Sequence, residues 1–123
     1  MNNVFDKLVD AWISEHNNYR TEQVPSIGWG YRELNRLVQQ EPFAALRVID
    51  SIVRKDNSDP IMEVLAAGPL ENILVLHGSI ILSELTKFAR ENASFRDLLG
   101  GVWGDAVAPE VWREVEKLRT ELW

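Results

Sequence analysis

An all-α domain of roughly six to eight short helices is what this chain's residues predict. Apolar residues recur at helical intervals along its length, and proline and glycine cut the pattern into pieces of helical length. Two short apolar runs, residues 80–82 and 102–103, read locally as strand, but their neighbours keep the helical period. The expected architecture is one domain over residues 1–123, an irregular bundle or a small HEAT-like stack of helix pairs.

Each element has its own signals. Asn2 or Asn3 caps a first helix, whose inner face is Phe5, Leu8, Val9, Trp12 and Ile13 and which fades near Tyr19. Residues 21–30, with Pro25, Gly28 and Gly30, form a loop. A second helix covers residues 31–40 with Leu34, Leu37 and Val38 inward. Pro42 opens a third, where a missing N–H costs nothing, and Phe43, Leu46, Ile49, Ile52 and Val53 form its stripe. Arg54 and Lys55 suit its C-terminal dipole.

Ser58-Asp59-Pro60 restarts the chain as a helix bearing Ile61, Val64 and Leu65. Gly68 stops that helix and Pro69 opens the next, with Leu70, Ile73 and Leu74 inward until His77-Gly78 closes it. Ser79 caps a helix reaching Arg90, with Ile81, Leu82, Leu85 and Phe88 inward. Asn92 or Ser94 begins a short helix with Phe95, Leu98 and Leu99, ended by Gly100-Gly101. The last helix starts near Pro109 and carries Val111, Trp112, Val115, Leu118 and Leu122.

Composition excludes several functions. The chain has 123 residues, 46% hydrophobic and 26% charged, enough for one buried core. It has no cysteine, which removes disulfides, thiolate metal sites and cysteine nucleophiles. Nineteen carboxylates against thirteen Lys and Arg give a net charge of −6. The one adjacent basic pair, Arg54-Lys55, sits among Asp50, Asp56 and Asp59, read as caps and solvated charges, so no nucleic acid is expected as a partner. The N-terminus lacks a signal-peptide pattern, and His77, Gly78 and Glu84 interrupt or bound the apolar run of residues 73–85. No membrane partner and a cytoplasmic location are expected.

No catalytic pattern is complete. His77 and His16 are the only histidines, without the spacing of a zinc motif, and no metal or other cofactor is expected. His77 reads either as a general base or ligand beside Glu71 or Glu84, or as a helix C-terminal group bonding last-turn carbonyls; the second reading is preferred. Glu71, six residues earlier, points elsewhere on a helix. His16 sits at the core edge. Gly28-Trp29-Gly30 and Gly100-Gly101 lack the nucleotide-binding spacing.

Five tryptophans are many for this length. Trp12 lies on a core stripe, and Trp103 after a double glycine is expected to close over the helices. Trp29, Trp112 and Trp123 are candidate partner-binding anchors, because an exposed tryptophan offers large area at little entropic cost.

The order Gly68-Pro69-Leu70-Glu71, Leu74, His77-Gly78, Phe95 and Gly101-Val102-Trp103 resembles a bacterial family of small proteins classed as a domain of unknown function. The resemblance is best over the central half and implies a compact bacterial helical domain. It brings no activity, substrate or catalytic residue. Gly68, Pro69, Leu70, Glu71, His77, Gly78 and Trp103 are then structural motif positions. Residues 79–82 are more apolar than the polar stretch of that pattern, through deeper burial or a local partner surface. The leading expectation is a non-enzymatic protein-binding module of immunity or antitoxin type, with a basic protein as partner and a homo-oligomer also compatible. The alternative is an enzyme or small-ligand protein with a pocket around His77, Glu71 and Trp103.

Overall fold

Apolar periodicity becomes seven α-helices and one π turn in the computed structural model, which describes residues 4–21 and 28–119, the side chains of 17–21 excepted. The helices are α1 (Val4–Thr21), α2 (Trp29–Gln40), α3 (Pro42–Lys55), α4 (Asp59–Leu65), α5 (Glu71–Glu91), α6 (Ala93–Leu99) and α7 (Pro109–Leu118). No strand occurs among the described residues. The expected caps Asn2 and Asn3, the loop residue Pro25, and Leu122 and Trp123 lie outside them.

The helices α1, α2 and α3 pack on one another, α3 meets α5 and α6, and α7 closes on α5. Contacts between helices distant in sequence, α3 with α6 and α1 with α4, make this an irregular bundle, because a stacked repeat touches mainly its neighbours. One core runs through it, from Leu8 and Trp12 through Leu46, Ile49 and Ile52 to Leu70, Leu85 and Phe95.

Two stripe residues depart from expectation. Phe43 and Val64 are exposed. Phe43 lies about a quarter of a turn from the centre of the face that Leu46, Ile49 and Val53 bury. Asp50, expected at the surface, is buried: it accepts from Asn92 Nδ2 at 2.9 Å and from Arg54 Nε at 2.8 Å.

The N-terminus of α2, which starts two residues earlier than expected, has no cap from its own chain segment. Glu15 of α1 supplies it, accepting from Gly30 N at 2.8 Å and Tyr31 N at 3.0 Å. These are two of the donors that a helix start leaves free. On the surface of α2, hydrogen bonds from Arg36 hold the Glu33 carboxyl below its ordinary range, opposed by slight desolvation and aided by the guanidinium charge. That contribution is present above the ordinary carboxylate pKa and fades as pH falls through the lowered one; exposure keeps it small.

The largest correction concerns residues 66–78. Gly68 does not end a helix and Pro69 does not begin one. Pro69 has no N–H for the carbonyl four residues back, and a π turn over Ala66–Leu70 takes up the mismatch. His77-Gly78 does not close a helix either, and Ser79 caps none: α5 continues through a bend at His77 (φ −135°, ψ 15°). The result is one bent helix from Asp59 to Glu91. By length and composition it could cross a membrane, its most apolar stretch of 18 residues having a mean hydropathy of 1.5, yet its inner face, including Leu65, Leu70, Leu74, Ile81 and Leu85, belongs to the core.

Candidate functional site

Two of the motif positions tie this bent helix to the chain that follows α6: Glu71 to the loop at Trp103, and Gly78 to α7. Leu70 is fully buried. Glu71, at the start of α5, accepts from Trp103 N at 3.2 Å and so ties the loop after α6 to the helix. Gly78 faces Val111 of α7: a Cβ there would lie 2.8 Å from Val111 Cγ1 and 3.0 Å from Cγ2. No side chain at position 78 fits without displacing the Val111 side chain, which favours glycine beside the bend.

Gly68 has no such reason. A Cβ there meets nothing within 4 Å, and no glycine among the described residues has a positive φ. The two glycines therefore predict opposite outcomes. Gly78→Ala should destabilise by about 1–3 kcal/mol through overpacking. Gly68→Ala should stabilise by about 0.5–1 kcal/mol by restricting the unfolded chain. Urea unfolding of the two variants beside the parent checks both signs.

His77 is half-buried, and its Nε2 is buried without a hydrogen-bond partner. His77 is not at the expected helix C-terminus, where it would bond last-turn carbonyls; the helix instead continues through a bend at this residue. His16, by contrast, makes such a local contact: its ring stacks on Trp12 at 3.7 Å between centroids, and its Nδ1 lies 2.8 Å from the Trp12 carbonyl oxygen.

The tryptophans divide by position. Trp12 is buried as expected. Trp103 is not: it keeps 71% of its surface. Its neighbour Val102 and the later Val107 enter the core instead, Val102 following the turn that its N–H closes onto the Leu99 carbonyl at 3.3 Å. Trp29 is 43% exposed. Trp112 is half-buried; its ring packs on Gly104 and carries the Arg119 guanidinium 4.9 Å from its centroid. That stacking covers part of the Trp112 ring, and Trp103 and Trp29 leave more of their surface exposed.

Two cavities border these elements. A cleft of about 60 Å³ beside the π turn is lined by Trp12, Tyr31, Asn35, Pro69 and Asn72. It holds little more than a water or two. A wider open cleft of about 390 Å³ lies between the ends of α5 and α7, with Arg90, Arg96, Glu114 and Lys117. Arg96 Nη1 donates to the Ala89 carbonyl at 3.1 Å and Lys117 to Glu114 at 3.1 Å, so these cations serve the helix ends. Neither cavity is lined by His77, Glu71 or Trp103. Among the described residues no group of three or more His, Asp or Glu is placed to hold a metal ion.

Sequence reasoning left this part of α5 open between deeper burial and a partner surface. Val75, Leu76 and Ile80 point to solvent. The unusually apolar residues 79–82 were the available signal, and the helical period divides them: Ile81 inward, Leu82 half-buried, Ser79 and Ile80 outward.

No curated protein and no solved structure matches the chain. A family model does, described as a family of unknown function (DUF6869), over residues 15–122. That match takes in nearly all of the helices and every motif position described above, and the chain belongs to this family.

Proposed function

We propose that this protein is a non-enzymatic module that binds another protein, acting in a bacterial cytoplasm as an immunity or antitoxin-like factor. One observation carries the reading: Trp103, 71% exposed, stands on a backbone fixed to Glu71. A large exposed ring offers a partner much area to bury, and such residues dominate interface energies. The surrounding chain has a net charge of −6, which speeds encounter with a basic partner. A toxic nuclease or similar cationic protein has that character.

The test uses the protein encoded beside it in the genome. Purified together, the two should form a complex that weakens with added salt. Trp103→Ala should leave folding stability within about 0.5 kcal/mol of the parent and weaken binding by about 30-fold or more. No association at micromolar concentration, or equal binding by the variant, would remove the reading.

A further inference from the structure

Three cations from three helices meet on the wider cleft at the ends of α5 and α7: Arg90 of α5, Arg96 of α6 and Lys117 of α7. Among the described residues Glu114 is the one carboxylate that lines it, while Glu91 and Glu116, on the same stretches of chain, do not. A chain with nineteen carboxylates and a net charge of −6 is thus positive around this hollow. Helix-end chemistry accounts for two of the cations singly. Arg96 donates to the Ala89 carbonyl, and Lys117 pairs with Glu114. It does not account for Arg90, which is exposed and bonds to no protein group among the described residues. Nor does it account for their convergence, since like charges facing one hollow repel unless an anion lies between them.

We propose that this cleft binds the phosphate group of a small phosphomonoester. Size and lining choose that ligand. A volume of about 390 Å³ falls within the range of small-molecule sites and exceeds what a bare phosphate ion fills. Arg90 and Arg96 bring planar guanidinium groups, whose forked N–H donors match phosphate oxygens, and Lys117 adds a point charge. Ala89 and Leu118 give the organic part an apolar wall, and the Glu114 carboxylate accepts from a hydroxyl on it. A polynucleotide is disfavoured, because its backbone would run past the hollow onto a surface rich in carboxylates.

The cleft lies apart from the proposed partner surface. Trp103 is tied to Glu71 at the first residue of α5, whereas Arg90 is in its last turn, up to about 28 Å further along. The two readings therefore stand or fall separately.

Titration of the isotope-labelled full chain with ribose 5-phosphate, followed by amide chemical shifts, tests the proposal. Saturable shifts should appear at the cleft residues, with a dissociation constant of about 1 mM or tighter for a ligand of this size. Ribose alone should cause none. Inorganic phosphate should shift the same residues and bind several-fold more weakly. Arg90→Gln removes one charge from an exposed side chain with no partner to lose, so the fold stays intact and binding should weaken about tenfold. Lys7→Gln, on the exposed surface of α1, removes the same charge elsewhere and should leave binding within about twofold of the parent. Shifts that fail to saturate by about 10 mM, or that scatter over the whole surface, would overturn the proposal. So would parental binding by Arg90→Gln, or an equal loss in Lys7→Gln. An ester held no tighter than inorganic phosphate would overturn it as a phosphomonoester site.

Discussion

Gly30→Ala is expected to destabilise the protein by about 3 kcal/mol, more than any other single methyl group discussed here. A Cβ at position 30 would lie 2.8 Å from the backbone nitrogen of Trp12 and 3.0 Å from the Ala11 carbonyl carbon. Both are main-chain atoms of α1, which cannot rotate aside as a side chain can. Relief requires α2 to lift away, which stretches the hydrogen bonds from Gly30 and Tyr31 to Glu15. The melting temperature should fall by about 10 °C for a domain of this size. Glu15→Gln keeps the packing and loses only the charge at the start of α2, so it should cost about 0.5–1 kcal/mol. A Gly30→Ala variant as stable as the parent would mean that α1 and α2 do not approach so closely.

Asn92→Ala should cost about the same, for a different reason. Asn92 is buried at the junction of α5 and α6, where its Oδ1 accepts from Ser94 N at 3.1 Å and its Nδ2 donates to Asp50 at 2.9 Å. Alanine removes the cap of α6, worth about 0.5–2 kcal/mol. It also leaves one oxygen of a buried carboxylate without its donor, a further 1–3 kcal/mol on the order of the usual desolvation penalty. Asn92→Asp keeps the cap but sets a second carboxylate against Asp50, so at neutral pH it should be no more stable than the alanine variant. Thermal and urea unfolding separate these outcomes. Preserved stability in both variants would remove the buried bridge between α3 and α6 from the account.

Much of this fold was legible because its signals are local. The stripe Leu8, Val9, Trp12 is a property of a few turns, and so are the prolines at 42, 60 and 109, which all sit in the first turn of a helix. The π turn was misread because a proline after a glycine is locally a stop. Packing overrides it: Ile61 and Leu65 on one side and Leu70 and Leu74 on the other are all buried. Their spacing goes four, five, four, and the step of five from Leu65 to Leu70 is the trace that an extra residue leaves in a helix.

The bridges Glu15 to Gly30 and Asp50 to Asn92 join separate helices, and no spacing rule reaches them. Trp103 was misplaced for a related reason. The double glycine frees the chain to turn, but which side chain then enters the core depends on the helix it lies against, and Val102 takes that place. Of the candidate site, the order of the motif residues was legible, but the contacts of Glu71 with Trp103 and of Gly78 with Val111 join segments far apart in sequence. The solvent-facing row on α5 was hidden, because exposure is decided by what the neighbouring helices leave uncovered.

The central claim is that Trp103 stands outside the core on a backbone tied to Glu71. Urea unfolding of Trp103→Ala beside Trp12→Ala tests this most directly. Trp12→Ala should lose about 3–5 kcal/mol as a core aromatic, and Trp103→Ala should stay within about 0.5 kcal/mol of the parent. If Trp103→Ala loses as much as Trp12→Ala, the ring at position 103 is part of the core and the docking surface does not exist.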